Sequence, residues 1–88
     1  MKVIWRRAAL RDLDEIWRYI AKDNPDAATK HEQKIRDRVN LLAGFPRSAP
    51  KHGDGHRLTV PGTSYIVLYK IEGRRVVIDA VFHGARNR

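Results

Sequence analysis

The residue types best suited to chemistry stand at the end of an apolar run. Val76-Val77-Ile78-Asp79-Ala80-Val81-Phe82 leads into His83-Gly84-Ala85-Arg86. Imidazole exchanges protons near neutral pH, and a guanidinium grips phosphate or carboxylate through paired hydrogen bonds. The pair can act in acid–base catalysis, contact a partner, or simply close a sheet. Arg57 either contributes a further cation or bridges to Asp79. A second cluster, His52, Asp54 and His56, carries metal-ligand residue types. Its glycines make the loop loose and no further ligand is evident, so the expectation there is a polar loop, with no metal and no cofactor.

The elements that must position these groups belong to a single domain, residues 1–88, whose core is modest. A chain this short buries about 60–65% of its unfolded surface, so a bound partner adds much of its working stability. There are 18 Lys+Arg against 10 Asp+Glu, a net charge of +8. Eight basic and three acidic residues fall in 45–88, so the excess follows the half that carries His83 and Arg86. Such a chain attracts polyanions, whether nucleic acid, an acidic protein segment or an anionic surface. The absence of cysteine excludes a disulfide framework and a thiolate zinc site. No stretch reaches the length of a membrane span, and a cytoplasmic protein without membrane contact is expected.

Val3-Ile4-Trp5 reads as a short strand. Residues 8–22 read as a helix with Leu10, Leu13, Ile16, Trp17 and Ile20 on one stripe, and with Arg11, Asp12, Asp14, Glu15 and Arg18 opposite. Asn24-Pro25-Asp26 starts a second helix as N-cap, first-turn proline and dipole-compensating acid. Its stripe is Ala28, Ile35, Val39 and Leu42, with Gly44 placed for a left-handed stop and Pro46 behind it. A polar loop over 47–56 precedes strands at 57–60, 65–71 and 75–82, joined by Pro61-Gly62 and Glu72-Gly73-Arg74. The order β-α-α-β-β-β predicts an α+β fold, with a helical hairpin on one face of a largely antiparallel sheet. Strict alternation puts Val76, Ile78, Ala80 and Phe82 on one face of the last strand, and Val77, Asp79, Val81 and His83 on the other. The open face is then expected to carry Arg57, Lys70, Asp79 and His83.

Ordered segments along the whole chain resemble one family. They are Ala9-x-x-Asp12-Leu13-x-x-Ile16-Trp17-x-Tyr19-Ile20, Asn24-Pro25-x-Ala27-Ala28, Phe45-Pro46, Arg57-x-x-x-Val60-x-Gly62, Tyr65-x-Val67-x-Tyr69 and Ile78-x-x-Val81-x-His83-Gly84-Ala85-Arg86. The chain is similar to ParE-type toxins of the RelE/ParE superfamily, found in type II toxin–antitoxin and plasmid stabilisation systems. The resemblance implies the same β-α-α-β-β-β fold. It also implies a ParD-like antitoxin whose acidic, amphipathic C-terminal segment wraps the toxin, and assemblies such as a heterotetramer. An antitoxin segment is expected over Ile66, Leu68, Lys70 and Val81, and target binding and toxicity are expected at Arg57, His83, Gly84 and Arg86.

The superfamily divides in function. RelE-like members cut ribosome-bound mRNA with cationic side chains on the open sheet face, whereas ParE members act on DNA gyrase. The middle-strand position where an arginine is expected for RNA cleavage is Ile66, which can neither stabilise a phosphorane nor move a proton. A ribonuclease would be left with Arg57, His83 and Arg86. The depleted set favours a non-enzymatic toxin directed at gyrase, with the RelE-type endoribonuclease as the alternative. A generic nucleic-acid-binding module ranks last, because both helices mix acids into their polar faces.

Overall fold

Why the chain folds around one sheet is clearest from its two helices, each of which has a single buried stripe. A computed structural model describes residues 1–85. In chain order these form β1 (Lys2–Trp5), α1 (Arg7–Ala21), α2 (Pro25–Asn40), a 3-10 turn (Leu41–Ala43), β2 (Lys51–His52), β3 (Gly55–Thr59), β4 (Tyr65–Glu72) and β5 (Arg75–His83). The sheet order is β1-β5-β4-β3-β2, with β1 parallel to β5 and the other neighbours antiparallel. The expected α+β architecture is present. The sheet also holds β2, which lies in the stretch expected to be a loop. Gly53, at a left-handed φ of 59°, turns β2 into β3.

On α1 the buried positions are Ala9, Leu13 and Ile16, with Ile20 packed beside them. Leu10, expected in the stripe, is 43% exposed, so the true face is rotated toward Ala9. Trp17 Nε1 donates to Thr29 Oγ1 across the hairpin at 3.3 Å. The start of α2 is as expected: Asn24 Oδ1 accepts from the Ala27 amide at 3.1 Å, and Pro25 occupies the first turn. Its end is not. Gly44 has φ −96°, an ordinary right-handed value, because the 3-10 turn over Leu41–Ala43 closes the helix without a left-handed residue.

The alternation expected for β5 fails at one residue. Tyr69 pairs with Ile78 but Leu68 pairs with Ala80, so Asp79 is an extra, unopposed residue. This β-bulge changes the phase of the strand. Val76 and Ile78 face the helices before it, and Val81 faces them after it, only 3% exposed. Val81 is therefore core and not part of the open face. His83 follows the same phase and lies on the helix side, where its ring meets Tyr65 edge-on.

β1 covers β5 only as far as Ile78, whose carbonyl accepts from the Arg6 amide at 3.0 Å. Beyond that point the edge of β5 is protected by α1: Asp12 Oδ2 accepts from the Val81 amide at 3.0 Å. The sequence places Asp12 on the polar side of α1, and the structure gives it this sheet-capping role.

Tyr69 sits at the centre of the core, 1% exposed, and its hydroxyl donates to the Pro46 carbonyl at 2.8 Å. His56 stacks on it at 5.0 Å, with Nδ1 2.9 Å from the Ala49 carbonyl. Burial pushes the Tyr69 hydroxyl above its ordinary pKa of 10.0, opposed in part by backbone hydrogen bonding at Ala49 and by the Arg38 charge. Because the folded state holds the proton more tightly, this residue's contribution is complete below pH 10 and is lost as pH rises toward the folded-state value. Tyr69→Phe should cost about 1–3 kcal/mol in urea unfolding at neutral pH, since the Pro46 carbonyl loses its donor. The gap between the two proteins should narrow as unfolding is repeated above about pH 10.

Candidate recognition face

The side of the sheet away from the helices is built by three strands. Arg57 on β3 lies over the Phe82 ring at 5.9 Å. Ile66 and Leu68 on β4 stand beside Phe82 and Ala80 on β5 by register. Lys70 completes the β4 row and reaches Asp79 at 3.9 Å and Asp54 at 3.8 Å. The bulge presents Asp79 toward this face, and its main partner is Arg6, whose Nε is 2.7 Å from Oδ1. Arg6 extends the network to Glu72 at 3.5 Å.

This corrects two expectations. The Asp79 partner is Arg6, with Lys70 further off, and not Arg57. His83 is not on the open face either. Its Nδ1 accepts from the Ala85 amide at 3.2 Å, which leaves the proton of a neutral ring on Nε2. It lines a pocket of about 370 Å³ with Tyr19, Ile20, His31, Ser64 and Tyr65. His31 meets the other side of this environment: its ring is 6.3 Å from Tyr65, edge-on, and its Nδ1 lies 2.9 Å from the Ala27 carbonyl. The sheet thus separates Arg57 from His83. The two do not converge on one scissile phosphate, and on the open side the β4 residue in register with Phe82 is the aliphatic Ile66. Arg86, the remaining expected site residue, lies outside the described residues.

Gly84 is held closely. Its amide donates to the Ser64 carbonyl at 2.8 Å, and a Cβ there would stand 2.8 Å from Ile66 Cδ1. The chain leaving β5 therefore covers Ile66, which is only 6% exposed although it faces away from the helices. What remains accessible is a shallow strip of Leu68, Ala80 and Phe82, bordered by Arg57 and by the Lys70–Asp79–Arg6 network. Such a strip suits recognition of an amphipathic segment more than acid–base chemistry. His56, considered above as a metal ligand, is committed to its stack on Tyr69 and its hydrogen bond to Ala49. Among the described residues no group of three or more His, Cys, Asp or Glu converges to hold a metal ion.

Sequence reasoning found Arg57, Leu68 and Lys70 on this face and missed Arg6, Ala80 and Phe82. Phe82 was assigned to the core by a phase that the bulge reverses. Arg6 carries no signal in its spacing, since it reaches the face from the β1–α1 junction.

Comparison with known proteins gives the family and the fold. Residues 3–88 match the family model described as "ParE toxin of type II toxin-antitoxin system, parDE". A protein of Sinorhizobium fredii (strain NBRC 101917 / NGR234), named "Putative toxin Y4kP", is 38% identical over 84 residues, covering 93% of this chain and 86% of the relative. A solved structure titled "Chromosomal ParDE TA system from P. aeruginosa" superimposes with a TM-score of 0.81 at 24% identity, covering 94% of this chain and 95% of that one. At that identity the likeness is one of fold.

The contact between Gly84 and Ile66 is directly testable. Gly84 does not have a positive φ, so the demand is for space alone. Gly84→Ala should destabilise the protein by about 1 kcal/mol through overpacking. Ile66→Val, which removes the opposing Cδ1, should relieve most of that cost, and a double-mutant cycle by thermal unfolding should show coupling of about 0.5 kcal/mol or more.

Proposed function

This chain belongs to the ParE toxin family of type II toxin–antitoxin systems, and from that premise we propose that it arrests growth by engaging DNA gyrase and is neutralised by a ParD-like antitoxin. The observation that carries the proposal is the dismantled catalytic face. Ile66 occupies the position where RNA cleavage needs a cation, and the Gly84 turn covers it. Arg57 and His83 stand on opposite sides of the sheet. Among the described residues no acid–base set is assembled, which supports action by binding, and gyrase is the target that the resemblance to ParE toxins implies.

The antitoxin reading follows from chemistry. The strip of Leu68, Ala80 and Phe82 offers apolar contact, and Arg57, which has no carboxylate partner among the described residues, offers a cation at its border. An acidic amphipathic segment matches both. Lys70 contributes less than its charge suggests, because Asp54 and Asp79 lie within 4 Å of it. Ile66 contributes only if the turn at Gly84 moves, and Val81 is buried and contributes nothing. Action in the cytoplasm and assembly into a toxin–antitoxin heterotetramer are part of the same proposal.

The deciding experiment is supercoiling by purified gyrase with the toxin added. Inhibition, relieved by the antitoxin, is expected. Absence of inhibition together with cleavage of ribosome-bound mRNA would overturn the reading in favour of the RelE-type activity. Removal of residues 84–88 should abolish growth arrest while leaving the far-ultraviolet circular dichroism nearly unchanged, because the core cluster ends at Val81. A truncated protein of undiminished toxicity would move the site away from the end of β5.

A further inference from the structure

The pocket of about 370 Å³ beside His83 lies where the end of α1, the first half of α2, the start of β4 and the end of β5 meet. Lys, Arg, Asp and Glu make up 32% of the sequence, yet none is among the described residues that line it. Four of the six lining side chains carry rings instead. Tyr65 is the buried wall, 4% exposed, and Tyr19 the outer one, 54% exposed.

The backbone fixes how the two imidazoles stand. Tyr65 and His83 are cross-strand partners on β4 and β5, with ring centroids 5.3 Å apart and planes at 88°. His31 reaches the same tyrosine from α2, at 6.3 Å and 84°. Each imidazole is held through Nδ1, and the two are held in opposite senses. The Ala27 carbonyl, 2.9 Å from His31 Nδ1, can only accept, so that nitrogen carries the proton and Nε2 of the neutral ring keeps a lone pair. The Ala85 amide can only donate, so His83 Nδ1 accepts and Nε2 carries the proton. Neither Nε2 has a hydrogen-bond partner among the described residues. The pocket therefore offers one acceptor and one donor, both uncharged, among aromatic side chains.

That combination narrows the occupant. A metal ion shared by the two rings needs a lone pair from each, and the proton on His83 Nε2 denies one. An anion finds no Lys or Arg among the described lining residues. An aliphatic side chain would leave both ring nitrogens unpaired. A flat, neutral heterocycle with an N–H and a carbonyl satisfies both nitrogens and packs against the rings. The volume lies in the ordinary range for small-molecule sites, about 300–1,000 Å³.

We propose that this pocket binds a free, neutral lactam heterocycle of purine size, whose N–H donates to His31 Nε2 and whose carbonyl accepts from His83 Nε2–H. A base within a nucleic acid strand presents the same edge, but its phosphates call for cations that the described lining lacks. The site lies on the helix side, away from the strip of Leu68, Ala80 and Phe82, and it stands whether or not gyrase is the target.

The test titrates the whole protein with inosine, which has a single ring N–H, and follows the imidazole nitrogens in proton–nitrogen correlation spectra. Before titration, His31 should be the Nδ1–H tautomer and His83 the Nε2–H tautomer. Inosine should move the Nε2 signals of these two residues and leave those of His52 and His56 in place. N1-methylinosine lacks the donor and should bind about fivefold more weakly, the loss of one hydrogen bond. His31→Phe keeps a ring and removes the acceptor, so it should abolish the preference for inosine over N1-methylinosine. Should that variant fail to fold, the tautomers and the two ligands decide the matter on the unaltered protein. Absence of binding, equal binding of N1-methylinosine, or an Nδ1–H tautomer at His83 would overturn the proposal. So would an inosine-containing oligonucleotide that binds more tightly than the nucleoside, by making the pocket part of a nucleic acid groove.

Discussion

One extra residue in β5 decides which side of the sheet every later side chain faces. Were Asp79 paired in strict alternation, the strand would continue in the phase set by Val76 and Ile78, and Ala80 and Phe82 would enter the core. The bulge instead sends Val81 inward beneath the helices and turns Phe82 outward, where Arg57 covers its ring at 5.9 Å. Its cost is an interrupted ladder and a carboxylate brought against the sheet. Arg6 answers the carboxylate at 2.7 Å, and Asp12 answers the strand edge by accepting from the Val81 amide. Arg6 is the residue before α1, and Asp12 lies in its second turn. The helix is therefore tied to the sheet by polar geometry as well as by the apolar contacts of Ala9, Leu13 and Ile16. Hydrogen bonds of this partly buried kind contribute modestly when made, but leaving the group unpaired is expensive.

Much of the fold was legible in the sequence because its signals are local. Asn24-Pro25-Asp26 specifies the start of α2 by capping chemistry that needs no tertiary context. The Glu72-Gly73-Arg74 turn and the two-residue period on either side specify the β4–β5 hairpin. The departures all depend on contacts distant in the chain. Alternation cannot reveal a bulge, since Asp79 has the same appearance in either register. β2 is stabilised by pairing with β3, and its Lys51-His52 sequence has little strand preference of its own. Leu10 and Ala9 compete for the buried stripe of α1, and the winner is the smaller residue because α1 lies close against β5. Gly44 is available for a left-handed stop, yet the 3-10 turn closes the helix first.

The candidate site was legible in composition and misread in geometry. Arg57, Lys70 and His83 were identified by type, but His83 was carried to the wrong side by the uncorrected phase. Once placed, it belongs with His31 and Tyr65 in an aromatic pocket. Among the described residues, Arg57 is left as an open-face cation without a carboxylate partner, beside Lys70 and Arg6, which share Asp79. The protein consequently presents its net positive charge unevenly. The face bearing the bulge is balanced by acids, while the β3 edge is not.

The parallel pairing of β1 with β5 has a kinetic meaning. Lys2 is in register with Arg75, and β5 is the strand neighbour of β1. The helical hairpin and the β3–β4–β5 meander can each form through short loops, but β1 must wait for nearly the whole chain before it has anywhere to lie. Closing so long a loop sacrifices chain entropy before any contact compensates, which makes topologies of this kind slow to fold. A growing chain that has not yet produced β5 lacks the bulge, the Asp12 anchor and the covered Ile66 together. The sheet, its anchored helix and the covered Ile66 are thus completed together in one late, non-local step.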